Sequence, residues 1–331
     1  MQKIIKVDNT VIVILSSGNS YQRTDLSKEE FETLCNKDIT EEEILRIMIP
    51  EMVEIAKKAN EVRQLFLNVK KSKILTNIDD LIYWEDVSML SLPQELVASI
   101  LEAEVKNDTL KLETYKNFWT LMSLNTNEEC RKNLFEFLIR HELVISKCGF
   151  FIAYRNAKLV KGCLNITPKE ELEFTDHHSG TTKIKIGEMV TLDRALCDED
   201  SNHECSRGLH TAGKNWLTKN YYGDTGLVCL VNPAEITAVP KRSDYGKLRS
   251  CAYLPIDIIE YNTKGSVIPY PVETGFECDY VHKVIYEGLM GTEEDSNYKL
   301  IIPDMPNICK QTITNKLLDI AKECIVNRTV R

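Results

Sequence analysis

Residues 3–7 and 11–16 are runs rich in apolar, β-favouring side chains, and the Asp8-Asn9-Thr10 between them tolerates the positive φ of a tight turn, so the chain is predicted to open with a β-hairpin. Ser27-Lys28-Glu29-Glu30 and Thr40-Glu41-Glu42-Glu43 have capping-box spacing, in which a hydroxyl and a Glu satisfy each other's free amides, and a helix is expected after each. A third helix should start at Pro50, since Met52, Ile55, Ala56, Ala59, Val62 and Leu65 recur at helical period. The Lys70-Lys71-Ser72-Lys73 cluster reads as a solvated connection. A short β segment is expected near Asp80 to Trp84. Ser91 as cap with Pro93 just inside predicts a helix through Leu101, and Thr126-Asn127-Glu128-Glu129 announces another with an apolar stripe from Leu134 to Leu143.

From Cys148 the texture changes to short β-type runs, at 150–154, 182–186, 189–192, 227–231, 236–239 and 248–253, with one helix over 212–220. Ile313, Leu317, Ile320, Ala321 and Cys324 fall at helical spacing and predict an amphipathic C-terminal helix. The expected fold class is α+β. Four regions are expected: an N-terminal hairpin and helices over 1–75, a helical middle over 76–147, a β-rich module over 148–262 and a C-terminal extension over 263–331.

Composition narrows the function classes. With 43% apolar residues in 331, the chain can bury a core in each region. A formal charge of −9 argues against a general nucleic-acid binder, which needs a basic face for phosphates. Eleven cysteines with no Cys-x-x-Cys pair suggest thiols in a reducing cytoplasm rather than a disulfide framework or zinc ribbon. The N-terminus leads into a strand rather than an apolar h-region, so no secretory signal is expected, and the longest apolar runs are far below the roughly 20 residues that span a bilayer. Any membrane association is then peripheral.

The most specific sequence is Cys205-Ser206-Arg207-Gly208-Leu209-His210, followed by Val231-Asn232-Pro233-Ala234-Glu235 and by Arg249-Ser250-Cys251-Ala252-Tyr253. This run resembles the rapid-lysis rIIB family of T-even bacteriophages, which has a like hexapeptide, a Pro-containing strand exit and an Arg-x-Cys-x-Tyr strand in that order. Leu134-Phe135-Glu136-Phe137-Leu138 and Gly149-Phe150-Phe151-Ile152-Ala153-Tyr154-Arg155 extend the resemblance upstream, so it is specific over residues 134–256. The first 130 residues are compatible with the family in element order and match it weakly residue by residue. A helix-turn-helix-like segment of the T-even protein is missing here, and the sequence after Ile259 has no counterpart. The resemblance implies a phage accessory protein that works through an rIIA-like partner in the host cytoplasm or on the inner membrane face. It also implies roles in lysis control and in resistance to host or prophage exclusion, and it leaves homo-oligomerisation open.

Several constellations could carry chemistry. Arg155, Cys205, Arg207, Gly208, His210, Tyr222 and Arg249 are the candidate ligand-binding or recognition residues. A guanidinium in a strand or turn, as of Arg207 or Arg249, can clamp a carboxylate or phosphate bidentately, or close an internal ion pair. Cys197, His203, Cys205 and His210 supply soft ligands suited to zinc, but at a spacing unlike fingers or ribbons; buried thiols and a hydrogen-bonded His are the plainer reading. Asp198, Glu199 and Asp200 could hold a hard cation or be solvated. Gly208-Leu209-His210, a helix and the strand 226–231 are similar to the strand-helix-strand core of ADP-ribosyltransferases, with Arg155 and Tyr222 toward NAD. A Ser-Thr-Ser strand and a clear catalytic Glu are absent, and Glu235 is only a nominal substitute. A Cys205–His210 nucleophile pair is disfavoured, since residues five apart in a strand face opposite sides. The expectation is a non-enzymatic interaction protein without cofactor, with NAD or zinc as the alternatives.

Overall fold

A computed structural model describes residues 3–277, apart from Lys37, Glu85, Met89, Asn165 and the segments 177–179, 220–224, 242–245 and 261–265. The expected C-terminal helix and Tyr222 lie outside the described residues. The chain divides into two compact units, the first ending at Lys71 and the second beginning at Ser72, within the lysine cluster.

In the first unit β1 (Lys3–Val7) and β2 (Thr10–Ile14) form the hairpin, with Val7 opposite Thr10 and Asp8 at φ 52°. A third strand, β3 (Ser20–Arg23), pairs with β2. Both capping boxes are formed, at α1 (Lys28–Leu34) and α2 (Glu41–Met48). Val11, Val13 and Leu15 point to one side at strand period and are buried with Leu34, Ile44 and Met48. Each such side chain stabilises by about 1.5–3 kcal/mol when fully buried. Helix α3 (Pro50–Val69) follows at once.

The second unit is a helical layer and one large sheet. A hairpin of β4 (Thr76–Ile78) and β5 (Leu81–Tyr83) turns through Asp79 and Asp80, both at positive φ. Helices α4 (Gln94–Val105), α5 (Thr109–Met122) and α6 (Glu128–Arg140) come next. The starts of α4 and α6 differ from expectation. Pro93, not Ser91, stands at the cap of α4 without a side-chain bond, and Asn127 rather than Thr126 caps α6 by accepting from Cys130 N–H. Asn prevails because its carbonyl reaches the third amide from the half-helical position itself.

The sheet is antiparallel throughout. Its strands are β6 (Phe151–Lys161), β7 (Glu173–Thr175), β8 (Lys183–Ile184), β9 (Val190–Thr191), β10 (Leu209–Ala212), β11 (Thr225–Val231), β12 (Ile236–Ala238), β13 (Lys247–Ser250) and β14 (Ala252–Ile258), with α7 (Lys214–Lys219) after β10. The main order is β12-β13-β10-β6-β11-β14-β9, and β7 and β8 extend from the far end of β6. All seven residues of β11 are buried, which explains its unbroken apolar run.

The run 248–253 is two strands, not one. Cys251 N–H donates to Glu235 O and its carbonyl accepts from Leu192 N–H, so the chain changes partners there. Strands β13 and β14 stand four places apart in the order, about 19 Å on a flat sheet. A single intervening residue cannot bridge that distance, so the sheet curls until the two strand ends meet.

Helices and sheet are tied by Asn125, whose Nδ2 donates to Pro233 O and Ile236 O at 2.8 Å each. Gly149, at φ +88°, lets the passage into β6 lie against α5.

Candidate functional site

The hexapeptide enters β10, and the register sets His210 directly opposite Arg249 of β13, so both side chains start from one face of the sheet. Arg249 has no exposed surface. Its Nη1 donates to Asp198 O at 2.5 Å, its Nη2 donates to His203 O, and the Asp198 carboxylate lies 3.8 Å away. The guanidinium therefore acts as a pillar under the loop 198–203. Carbonyl acceptors arranged around a buried charge offset its desolvation only while all of them stay in place.

Gly208 makes the pillar fit. A Cβ there would lie 2.5 Å from Arg249 Cγ and 2.7 Å from Cδ, and its φ of +142° suits glycine alone. Asp198 closes the loop: its N–H donates to Arg207 O, and its carboxylate accepts from Asp200 N–H at 2.9 Å and from the Ser206 hydroxyl. The Ser206 hydroxyl first, then the Asp200 amide and His203, hold this carboxyl well below the usual range. His203 Nδ1 is 2.7 Å from Asp198 Oδ2, and that hydrogen bond raises the imidazole pKa.

Arg194 also supports the loop, through Glu199. Its guanidinium donates to Ala234 O at 3.0 Å and Ile236 O at 3.2 Å and pairs with Glu199 at 2.8 Å. Held on these two arginines, Asn202, His203, Glu204, Cys205 and Arg207 are exposed together. The arrangement can present a surface of mixed charge in a fixed conformation.

The remaining candidates are dispersed. Cys197 Sγ faces Asp193 O and Ser250 O, and burial pushes its thiol up. Cys205 Sγ lies 2.9 Å from Lys247 Nζ, itself over the Trp216 ring. Arg155 donates to His210 O and stacks 5.1 Å over Tyr253. Cys197, His203, Cys205 and His210 do not converge, and among the described residues no three His, Cys, Asp or Glu side chains are grouped as a metal ion requires. Asp198, Glu199 and Asp200 each turn to partners within the protein. The reading of Arg249 as a clamp for an external anion gives way to internal support, because Nη1 and Nη2 are both directed at loop carbonyls.

Sequence reasoning missed Asn125 and Arg194. Neither lies in a motif, and only the fold brings them to the 233–236 turn.

The loop should tighten and loosen with pH. The raised His203 pKa means that its contribution to stability is complete below the unfolded value near 6.5 and is lost as pH rises through the folded value. The depressed Asp198 works in the opposite direction, contributing above about pH 4 and fading as acid protonates it in the folded state. An NMR titration is expected to place His203 above an unfolded histidine, and Asp198→Asn to bring it back; an unshifted His203 would refute the pairing.

A family model described as bacteriophage T4 protein rIIB matches residues 3–268. The chain belongs to that family. The match reaches well beyond 134–256: it takes in the N-terminal hairpin and helices and runs past Ile259, where no counterpart was expected. Protein rIIB of Enterobacteria phage T4 is 25% identical over 244 residues, covering 73% of this chain and 69% of the relative. No solved structure matches. The hexapeptide, Gly149 and Arg249 thus lie inside the segment matched to the rIIB family, and within it they serve the loop and the strand entry described above. Among the described residues no helix is long and apolar enough to cross a membrane.

Proposed function

We propose that this rIIB-family protein is an interaction protein of the infected cell that acts with an rIIA-like partner in lysis control and in resistance to host or prophage exclusion. It works from the host cytoplasm, peripherally at the inner membrane face, and needs no cofactor. One observation carries the reading: the buried Arg249 is bonded to the carbonyls of the loop 198–203, so the most specific part of the sequence builds a fixed surface. Exposed His203, Glu204 and Arg207 are the groups on that surface available for recognition.

The test is co-expression with the phage's own rIIA-type protein and affinity capture of the complex. The wild-type chain is expected to retain the partner, and the double substitution His203→Glu with Arg207→Glu to weaken capture about tenfold, as loss of ~1.4 kcal/mol would. A folded double variant that captures the partner undiminished would remove the loop from the interface. Saturable NAD binding by the wild-type protein that the variant retains would favour the transferase-like scaffold instead.

A further inference from the structure

Strand β6 carries a half-buried arginine, Arg155, whose hydrogen bonding is incomplete. Nη1 donates to His210 O. Nε is enclosed and has no partner, and Nη2 has no hydrogen bond among the described residues. Those two nitrogens share the side of the guanidinium that meets two parallel oxygens, so the anchored side chain holds out an unused fork. A counter-charge is missing as well. Arg194 pairs with Glu199 and Arg249 has the Asp198 carboxylate at 3.8 Å, whereas Arg155 forms no ion pair among the described residues. Asp176, the acid whose charge bears on the neighbouring Tyr253, accepts from Thr182 N–H at 3.2 Å instead. A cation so far withdrawn from water is ordinarily paired.

The register gathers two more unused polar atoms on the same face. Ala212 of β10 stands opposite Tyr154, so Thr211 and Arg155 share the other face. Toward β14, Ala153 stands opposite Cys229 and Cys229 opposite Pro255, which brings Tyr253 to this face too, and Arg155 Cζ lies 5.1 Å from its ring centre. Thr211 is 1% and Tyr253 0% exposed, yet neither hydroxyl has a hydrogen-bond partner. Buried hydroxyls are nearly always bonded, and two orphans on the face of an orphaned guanidinium edge mark a place for an acceptor. Ala153 and Ala157, the nearest residues on that face of β6, contribute only methyls beside the long arginine side chain. The charge count selects the ligand. One guanidinium with two neutral hydroxyls neutralises a carboxylate, whereas a phosphate dianion would keep a buried negative charge without a cation.

We propose that Arg155, Tyr253 and Thr211 form a binding site for a small organic carboxylate, which closes on the free guanidinium edge and accepts from the two hydroxyls. The site lies on the face of the sheet opposite to His210 and Arg249, away from the support of the 198–203 loop. It goes beyond the interaction-protein reading and does not depend on it.

The full chain, with isotope-labelled arginine, is titrated with sodium acetate, sodium chloride and inorganic phosphate at matched ionic strength. Acetate is expected to shift the Arg155 Nε–H resonance saturably and to raise the thermal midpoint, chloride to do neither, and phosphate to act about tenfold more weakly than acetate. Arg155→Lys keeps the charge but lacks the fork, so it identifies the resonance by removing it and should weaken acetate binding about tenfold. Tyr253→Phe should weaken it about fivefold. A resonance unmoved by acetate, a response that chloride or phosphate reproduces in full, or undiminished acetate binding by either folded variant would each overturn the site. Should Arg155→Lys fail to fold, the wild-type titration and Tyr253→Phe decide by the same outcomes.

Discussion

Arg249→Met is expected to lower the stability of the second unit by about 3 kcal/mol and to release the loop 198–203 from its fixed conformation. The substitution keeps much of the apolar volume beneath Gly208 but leaves the carbonyls of Asp198 and His203 without their donors. A buried acceptor that loses its partner costs about 1–3 kcal/mol unless it can turn to water, and the loop is near enough to the surface to turn. Part of the loss should therefore appear as local opening rather than global unfolding. Denaturant unfolding together with amide exchange over residues 198–207 separates the two. Arg249→Lys should recover less than half of the stability, because one ammonium cannot repeat the divergent contacts of a planar guanidinium. A Met variant as stable as the parent and equally protected in the loop would show that the pillar is not what holds it.

Gly149→Ala is the second large effect, at a cost of about 2–5 kcal/mol. A methyl at this position would sit 2.6 Å from Asn117 C and 2.6 Å from Phe118 N, which are backbone atoms in the middle of α5 and cannot swing aside. The φ of +88° adds roughly 1–2 kcal/mol of strain for any residue with a Cβ, and overpacking adds about 1–3 kcal/mol. Gly180→Ala provides the comparison: its φ is +64° but nothing lies within 4 Å of the added carbon. That variant should lose only about 1 kcal/mol. Equal thermal midpoints for the two alanines would mean that the strand entry and α5 do not meet closely.

The local chemistry of the sequence carried the first unit well. Two capping boxes, a two-residue turn at Asp8-Asn9 and a Pro at a helix start all act within a few residues, and each is found where the pattern places it. Strand β3 escaped because Ser20-Tyr21-Gln22-Arg23 has little apolar content and pairs only on one side. Helix α5 was likewise not marked out, and strand β10, only four residues long, was marked only through the strand-helix-strand likeness at Gly208-Leu209-His210. The partner change at Cys251 could not be read from an apolar run, since it is fixed by Glu235 and Leu192 far away in sequence. In the candidate site the hexapeptide and Arg249 stood out as a pattern. Their relation did not, because an arginine aimed at carbonyls and one aimed at a ligand have the same letter, and only the register of β10 on β13 distinguishes them.

The residue that props the loop comes about fifty positions after the loop it holds. A ribosome has therefore finished the entire hexapeptide well before the buried guanidinium exists to shape it, and a product terminated between His210 and Arg249 would contain every exposed side chain of the loop and hold none of them in the conformation described. The conformation of the loop is in this way made conditional on synthesis having passed Arg249.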